Sequence, residues 1–312
     1  MKIKMYSKNN ICLVPTYSCN AACSFCYARP LRKRFSEDMT WDVFKKVVNF
    51  CLIGKIDEVS FLGGEPTIWA HINNAVTYLK KRNVQVSFFT NGITYSDPPP
   101  DCVLINVANS LHNSRRKQIE KTIYFYKAHR VEITLRYNLV SSTAVSEDDK
   151  FLEFSSSLSD YISITPAIPY LPSRKLGNRI FRLVRKFHKK KINVKISRAI
   201  PICLFSPAQY FYLRQLCLMR KRCYSEKNVV INPDGETLFP CVNIGNYEKN
   251  LFEGNLSETN NDYKTFFQYL GNIFPFDKCR KCRHAFSGNC QAGCLAMRPV
   301  TVLDSTVRLF EQ

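Results

Sequence analysis

The sequence predicts an α/β fold built on a largely parallel sheet, followed by a smaller cysteine-rich region. Over the first 200 residues or so, short apolar segments alternate with longer segments whose apolar residues recur at helical spacing. This alternation is typical of right-handed βαβ units. From Ile200 the alternation is expected to stop, and the cysteines crowd together. We therefore expect one domain at residues 1–199 and a second at residues 200–312.

Seven strands are expected in the first region, each a short run rich in β-branched and aromatic residues. They are placed at residues 10–15, 58–62, 84–89, 103–108, 131–140, 161–165 and 194–197. Amphipathic helices are expected between them, at residues 41–52, 68–82, 117–128, 147–158 and 180–189. Thr40 or Ser36 can cap the first of these helices. Periodicity alone leaves a closed barrel, a partial barrel and an open sheet as alternatives.

Composition and hydropathy argue against a membrane-spanning protein, a secreted protein and a disulfide-rich scaffold. The 312 residues are 45% hydrophobic, which is enough for one large core or two smaller ones. The sequence shows neither an apolar run long enough to span a membrane nor a secretory signal, so a cytoplasmic protein is expected. In a reducing compartment, the 14 cysteines favour metal ligation over a disulfide framework.

The formal net charge is +20, which predicts an acidic partner. The basic residues are dispersed in short runs, however, and no aromatic-interleaved RNA-binding pattern is evident. A nucleic-acid partner is therefore not expected. A non-enzymatic iron–sulfur or zinc protein that binds nucleic acid remains as an alternative, and it would bind nucleic acid in a salt-sensitive way without cleaving any cofactor.

Three cysteines follow the first predicted strand at C-x3-C-x2-C spacing: Cys19, Cys23 and Cys26. Three thiolates can hold a [4Fe–4S] cluster and leave one iron open to a substrate or cofactor. The alternative is a zinc knuckle, but structural zinc sites require four ligands. An aromatic residue, Tyr27, follows the third cysteine.

A second motif, F-L-G-G-E-P at residues 61–66, lies about forty residues downstream, where a predicted strand ends. Together the two motifs resemble the signature of the radical S-adenosylmethionine (radical SAM) enzymes. The resemblance implies that the open iron chelates S-adenosylmethionine (SAM). Reduction then cleaves SAM to methionine and a 5′-deoxyadenosyl radical, which takes a hydrogen atom from a substrate. It also implies a flavodoxin- or ferredoxin-type electron donor.

Among the three sheet arrangements left open above, the resemblance implies a partial (β/α)6 TIM-like barrel, with its site at the carboxyl ends of the strands. It implies that the SAM amino group is held by Gly63, Gly64 and Glu65. Further SAM contacts are expected from side chains that follow the cysteines or end the strands: Tyr27, Thr90, Asn91, Ser110, Arg136 and Asn138.

The C-terminal region contains seven more closely spaced cysteines and a predicted β-hairpin with its turn at Asp234 and Gly235. Alone, the last four cysteines could form a zinc ribbon. Next to the N-terminal motifs they resemble the SPASM extension, which implies two auxiliary iron–sulfur clusters. The first would be held by Cys217, Cys223, Cys241 and Cys294, and the second by Cys279, Cys282 and Cys290.

The chain departs from the SPASM pattern in two ways. Seven residues separate Cys282 from Cys290 where the family usually has five, and the family's last cysteine is absent. Asp304 or Glu311 could take its place, the site could stay open, or the second cluster could be missing, so one or two auxiliary clusters are expected. Cys203 is unassigned: it could be a core residue, a ligand of the first auxiliary cluster, or a catalytic thiol that returns a hydrogen atom to a product radical.

The resemblance implies a radical SAM oxidoreductase or maturase. An acidic, ribosomally made peptide is the expected substrate, which would be oxidised, cross-linked or epimerised, because the basic surface suits an acidic leader. The alternative is a dehydrogenase or carbon–carbon bond-forming enzyme that acts on a small molecule. No general acid or base can be assigned from the sequence.

Overall fold

The computed structural model describes residues 9–107, 114–140, 145–168, 170, 172–220, 222–223, 229–244 and 247–298. Within these ranges, one sheet of eleven strands runs through the molecule. The strands are β1 (Asn10–Leu13), β2 (Glu58–Phe61), β3 (Gln85–Thr90), β4 (Cys102–Asn106), β5 (Glu132–Leu139), β6 (Tyr161–Pro166), β7 (Asn193–Ile196), β8 (Cys217–Met219), β9 (Val230–Ile231), β10 (Thr237–Phe239) and β11 (Lys249–Asn250).

The strand order is β11-β10-β9-β1-β2-β3-β4-β5-β6-β7-β8. Every pair from β9 through β8 in this order is parallel, and β10 is antiparallel to both of its neighbours. Among the described strands β8 and β11 are the two ends of the sheet, so the sheet does not close on itself. This confirms the expected partial, TIM-like barrel.

Helices cover the sheet and agree largely with the apolar periodicity. They are α1 (Leu31–Arg34), α2 (Trp41–Ile53), α3 (Ile72–Lys80), α4 (Ser114–Ala128), α5 (Val145–Ser156), α6 (Arg174–Lys189), α7 (Pro207–Leu216), α8 (Leu256–Asn272) and α9 (Arg283–Phe286). Thr40 caps α2, because its side chain accepts a hydrogen bond from the backbone N–H of Val43. Within the described ranges, no helix has both the length and the apolar character that crossing a membrane would require.

Two predicted helix starts were wrong. The helix expected from residue 68 begins at Ile72, because Pro66–Ile68 forms a separate 3-10 turn and Trp69 is extended. The helix expected from residue 180 begins at Arg174, where Ser173 caps it by accepting from the N–H of Leu176. Both errors lie at helix ends, where local capping groups outweigh periodicity.

The expectation that alternation stops at Ile200 was also wrong. Helix α7 begins at a capping box of Ser206 and Gln209 and leads into β8, which pairs in parallel with β7. One more βαβ unit therefore follows the seven predicted strands. Helix α8 was not expected either, although Asn255 and Glu258 provide a capping signal at its start.

The predicted hairpin is confirmed: β9 and β10 are antiparallel, and Gly235 in the turn has φ +74°. Strand β9 also pairs in parallel with β1, so the hairpin extends the same sheet that carries the N-terminal motifs. A boundary at residue 199 stays a prediction. The backbone hydrogen bonds of the sheet cross it at both edges, at β1 with β9 and at β7 with β8.

The two faces of the sheet differ in chemistry. One face packs on the helices through apolar side chains such as Val59, Phe61 and Phe88, which are fully buried. The other face is polar near β1 to β3, where Ser60 and Ser87 are hydrogen-bonded at 2.6 Å. Alternating residues of a strand point to opposite faces, so this polar face follows from the sequence of each strand.

Candidate functional site

The loop with Cys19, Cys23 and Cys26 begins at the carboxyl end of β1. All three thiols are partly buried. The N–H of Cys26 donates to the carbonyl of Cys23 at 3.2 Å. The sulfur of Cys19 accepts from the backbone N–H of Ala21 at 3.4 Å and lies 3.8 Å from the Asn91 amide nitrogen. Hydrogen bonds to cysteine sulfur are a common feature of iron–sulfur sites, and this donor set fits a cluster.

The Gly-Gly-Glu loop packs directly on the segment that leads into the cysteine loop. The N–H groups of Gly64 and Glu65 donate to the carbonyls of Thr16 and Ser18, each at 2.9 Å. A Cβ on Gly64 would lie 2.0 Å from the Ser18 oxygen, so only glycine permits this approach. The two glycines thus bring one loop against another. Their predicted contact with SAM stays a prediction.

The carboxylate of Glu65 is fully buried and joins the loops that follow β2 and β3. One oxygen accepts from the N–H and hydroxyl of Thr67 at 3.2 and 2.7 Å and from the hydroxyl of Thr90 at 2.7 Å. The other accepts from the N–H of Asn91 at 2.7 Å. Burial raises the pKa of Glu65, and these hydrogen bonds oppose the rise. A carboxylate oxygen has two lone pairs, so one acceptor position is left on the second oxygen.

Asn91 and Tyr27 connect the cysteine loop to the loops next to it. The Asn91 amide donates to the side-chain oxygen of Asn20 at 2.7 Å. The Tyr27 hydroxyl donates to the carbonyl of Gly63 at 3.0 Å, and burial raises the pKa of this phenol. The predicted residues from three separate segments are therefore brought together. The partners Asn20 and Thr67 were missed, and their only signal in the sequence is their position beside the two motifs.

The remaining predicted SAM contacts lie farther along the sheet. Arg136 on β5 donates to the hydroxyl of Ser163 at 3.4 Å, and its guanidinium lies 5.6 Å from the centre of the Phe89 ring. Asn138 donates to Asn106 at 3.0 Å. Ser110 lies outside the described residues. Near the end of β6, the buried hydroxyl of Thr165 has no hydrogen-bond partner among the described residues, which suits a polar ligand at this end of the sheet.

Lys195, which was not predicted as a site residue, lies on β7 beside Ser163 of β6. Burial, together with the positive charges of Arg220 and Arg136, lowers the pKa of Lys195 to about 8. The three cations make this part of the sheet electropositive. A lysine within the apolar alternation of β7 was the signal that could have indicated it.

Three of the four cysteines expected to hold the first auxiliary cluster are neighbours. The thiols of Cys223 and Cys294 are hydrogen-bonded, and this bond, with burial and the nearby Cys241, raises the pKa of Cys294 well above its usual value. Cys217 instead donates its S–H to the carbonyl of Leu213 at 3.2 Å, and burial raises its pKa to about 12. Its role as a fourth ligand stays a prediction.

A buried guanidinium lies beside these thiols. Arg298 is 3% exposed and donates to the carbonyls of Leu270, Cys294 and Gln291 at 3.1, 3.1 and 2.8 Å. Burial lowers the pKa of Arg298 to about 10, and the thiols of both auxiliary groups oppose this shift. Arg298 therefore stays charged at neutral pH, next to the place where anionic clusters are expected. This cation was not predicted from the sequence.

Cys279, Cys282 and Cys290, expected to hold the second auxiliary cluster, are also neighbours, and Cys203 lies with them. Burial raises the pKa of Cys279, and the thiols of Cys203, Cys290 and Cys282 raise it further. All fourteen cysteines are within the described ranges, and none of them forms a disulfide. Within these ranges, no three Cys, His, Asp or Glu side chains are grouped as ligands of a single metal ion. A cubane distributes its thiolates over different irons and does not require such a group.

The C-terminal hairpin contacts the cysteine loop directly. The Tyr17 hydroxyl donates to the side-chain oxygen of Asn232 at 2.6 Å, and both residues are buried. Phe35 stacks on Tyr17 and makes an edge contact with Phe239 of β10. The first cluster loop and the hairpin that ends near Cys241 are therefore parts of one packed unit.

Two relatives match a short part of the chain. A protein of Methanocaldococcus jannaschii, named for the activation of glycyl-radical enzymes, is 30% identical over 83 residues, 26% of this chain and 31% of its own length. An S-adenosylmethionine-dependent nucleotide dehydratase of Selenomonas ruminantium is 30% identical over 90 residues, 28% of this chain and 32% of its own length. The match thus spans about a third of each curated relative.

Two solved structures share the fold over nearly the whole chain. The anSMEcpe structure with bound AdoMet and a Cp18Cys peptide has a TM-score of 0.65 at 15% identity and covers 91% of this chain and 89% of its own. Streptococcus suis SuiB bound to the precursor peptide SuiA has a TM-score of 0.59 at 14% identity and covers 92% and 72%. At these identities the likeness concerns the fold.

The radical SAM superfamily model matches residues 13–105, which contain the cysteine triplet and the Gly-Gly-Glu loop. The matched segment runs from the last residue of β1 into β4 and includes the loops with Glu65 and Asn91 that meet the cysteine loop. The chain therefore contains a radical SAM domain, and this family uses a [4Fe–4S] cluster and S-adenosylmethionine.

Proposed function

We propose that this chain is a radical SAM enzyme in which Cys19, Cys23 and Cys26 hold the [4Fe–4S] cluster. When bound, the cluster and SAM would supply a 5′-deoxyadenosyl radical that removes a hydrogen atom from the substrate. The strongest support is that the loops after β1, β2 and β3 are joined by hydrogen bonds. Glu65 accepts from Thr90 and Asn91, and the Asn91 side chain donates to Asn20 in the cysteine loop.

Each residue of the site has a proposed task. Gly63 and Gly64 hold their loop against the cysteine loop, and Glu65 keeps one acceptor position for the SAM ammonium group. Tyr27 and Asn91 fix the loops around the cluster, and Asn91 also donates toward the Cys19 sulfur. Thr90, Arg136, Asn138 and Ser110 are proposed as further SAM contacts at the carboxyl ends of their strands.

The proposed substrate is an acidic peptide, which would be oxidised, cross-linked or epimerised. Three observations support this class. The structures of similar fold were solved with peptides, the net charge of the chain is +20, and Arg136, Lys195 and Arg220 make one part of the sheet electropositive. An acidic segment would be attracted to this surface before it reaches the site.

The C-terminal cysteines are proposed to hold SPASM-type auxiliary clusters, and a flavodoxin- or ferredoxin-type protein would supply electrons. Arg298 supports the presence of anionic groups here, because a guanidinium that is 3% exposed is stabilised by nearby negative charge. A chain that depends on so many reduced thiols suits the cytoplasm.

The proposed function is tested by anaerobic reconstitution with iron and sulfide, followed by assay of 5′-deoxyadenosine formed from SAM. We expect formation by the wild type and none above background by Cys26→Ala. Cys102→Ala is the matched control, because Cys102 lies on β4 away from the predicted ligands, and it should keep wild-type activity. Equal 5′-deoxyadenosine from wild type and Cys26→Ala would overturn the proposal.

A second candidate is a dehydratase or dehydrogenase that acts on an anionic small molecule. It is favoured by the similarity to a nucleotide dehydratase, and the same cations could bind a phosphate. Peptides with acidic leaders and nucleoside phosphates should be compared as substrates of the reconstituted enzyme. Turnover of a nucleotide alone would decide for the second candidate.

A further inference from the structure

The sequence offers no cysteine after Cys294 to complete the second auxiliary site, and Cys203 has no assigned role. Cys203 lies on the 3-10 turn Ile202–Leu204, which follows β7 and precedes α7. Its thiol is exposed, unlike the core cysteines Cys12 and Cys51. A core role is therefore excluded for Cys203.

Two contacts bring the C-terminal cysteine segment against this turn. A Cβ on Gly293 would lie 3.2 Å from Pro201, two residues before Cys203, so the chain after Cys290 approaches the turn closely. Beside Cys279, the Lys278 ammonium donates to the carbonyl of Pro172 at 3.4 Å. Both contacts place the segment with Cys279 and Cys290 next to the chain on either side of α6.

The thiol of Cys203 consequently shares one neighbourhood with three others. Although Cys203 is exposed, the protein atoms that partly surround its sulfur and the thiols of Cys290 and Cys282 raise its pKa, while the Lys278 ammonium lowers it. Cys279 is affected in turn by Cys203, Cys290 and Cys282. The four thiols therefore lie in one neighbourhood, as the ligands of a single cubane do.

A buried hydroxyl points to a ligand in the same place. Tyr170 is 6% exposed, and its hydroxyl has no hydrogen-bond partner among the described residues. This oxygen would lie 3.1 Å from a Cβ on Gly293, and the charges of Cys294, Cys203 and Cys290 all act on it. An unpaired buried hydroxyl is costly, and a cluster sulfur or thiolate would accept its hydrogen bond.

We propose that Cys203 is the fourth ligand of the second auxiliary cluster, together with Cys279, Cys282 and Cys290, with Tyr170 donating to the sulfur of the site. This inference rests on the proposed function. On assembly, the Cys203 thiol releases its proton to solvent and its thiolate bonds to the fourth iron, with no change in oxidation state. A ligand from upstream replaces the missing downstream cysteine, and the site is closed to substrate.

The direct test needs no substitution. The apoprotein and the reconstituted protein are treated anaerobically with iodoacetamide, and each cysteine is quantified by mass spectrometry. We expect Cys203 to be alkylated in the apoprotein and protected after reconstitution, to the same extent as Cys279. If Cys203 stays as reactive after reconstitution as before, while Cys279 becomes protected, the proposal is wrong.

Variants provide the second test, with iron counting and electron paramagnetic resonance as readouts. Three cubanes contain about 12 irons. We expect Cys203→Ala to lose between about one and four of them, with a three-iron signal if one is lost, and Cys203→Ser to retain more. Cys102→Ala should match the wild type. Loss in Asp304→Asn or Glu311→Gln, with Cys203→Ala unchanged, would assign an oxygen ligand instead.

Failure of this inference can be told apart from failure of the proposed function. If the wild type holds only about 8 irons and Cys279→Ala changes nothing, the second auxiliary cluster does not exist and the inference fails. Formation of 5′-deoxyadenosine by the wild type would then still support the radical SAM activity. If no 5′-deoxyadenosine formed but Cys203 was still protected after reconstitution, the inference about Cys203 would hold and the proposed function would fail.

Discussion

Gly64 lies where two loops touch, and the contact leaves no room for a side chain. A Cβ there would lie 2.0 Å from the Ser18 carbonyl oxygen and 2.6 Å from the Tyr17 carbonyl. We expect Gly64→Ala to lower the free energy of unfolding by at least about 3 kcal/mol and to reduce iron retention, because the cysteine loop is displaced. Thermal unfolding and iron content of the reconstituted protein would measure this.

Gly271→Ala is the control for this variant. Gly271 lies in α8, where a Cβ would meet only the Gln291 side chain at 3.5 Å, an ordinary contact. Alanine should stabilise this helix by up to about 1 kcal/mol. Equal behaviour of the two variants would contradict the role given to Gly64.

Lys195 should give stability a pH dependence of its own. Its pKa is lowered from 10.5 to about 8, so below pH 8 the folded protein keeps a partly buried charge near Arg136 and Arg220. Between about pH 8 and 10.5 the folded state loses this proton while the unfolded state keeps it, and stability rises with pH. Removal of the charge should therefore matter most at neutral pH.

We expect Lys195→Gln to exceed the wild type in free energy of unfolding by about 1 to 2 kcal/mol at pH 7, a value discounted for partial exposure. The difference should shrink toward pH 10. Urea denaturation of both reconstituted proteins at the two pH values measures it. A difference that stays constant with pH would show that the charge of Lys195 is not its cause.

At this scale, the sequence allowed prediction of the residues that stand in a fixed local pattern. Spacing alone identified Cys19, Cys23 and Cys26, and the order of glycines and carboxylate identified Glu65. Their contacts with Thr90 and Asn91 were expected only as strand ends, since a partner some 25 residues away depends on the sheet register. The neighbours of Cys203 could not be predicted for the same reason, because they follow it by more than seventy residues.

Helices α5 and α6 are joined by a buried ion pair. Asp148 is fully buried and accepts from the Arg179 Nε at 2.8 Å, from the Arg182 Nη2 at 3.0 Å and from the Tyr137 hydroxyl at 3.0 Å. Asp148→Asn would leave the Arg179 guanidinium, of which 10% is exposed, without its counter-charge. We expect a loss of about 3 to 5 kcal/mol in the free energy of unfolding, measured by urea denaturation.

The neighbouring residue provides the control. Asp149 pairs with Lys186 across the same two helices, but its side chain is 53% exposed. Because exposed ion pairs contribute little, Asp149→Asn should change stability by less than about 1 kcal/mol. If the two variants lost the same stability, burial would not be the reason for the strength of the Asp148 pair.

Whether an element could be predicted depended on its length and regularity. The strands and the long helices were found because their apolar residues repeat, and β5 shows this most clearly. Helix α7 was missed, although Ser206, Pro207 and Gln209 form a recognisable helix start, and with it the further βαβ unit that leads to β8. The strand β8 has only three residues, too few for a periodic signal.

On the scale of the whole molecule, the sheet joins the two predicted domains. Strands β9 and β8 cover the edges of β1 and β7. A chain that ends at residue 199 would expose both edges, and unpaired strand edges promote aggregation. We expect this truncated chain to aggregate, while the full chain stays soluble under the same conditions. Size-exclusion chromatography with circular dichroism measures this, and a folded monomer of residues 1–199 would contradict it.

The buried guanidinium of Arg298 should also affect the reduction potential of the auxiliary centre beside it. Three backbone carbonyls anchor it, so it cannot turn away when negative charge accumulates nearby. A fixed counterion favours the more reduced form of its neighbour, and the midpoint potential of an auxiliary centre should fall in Arg298→Met but not in Arg280→Met, whose side chain is solvent-exposed. Spectroelectrochemical titration would reveal this, and a shift in Arg298→Met alone would show that this cation helps to set how readily the centre accepts an electron.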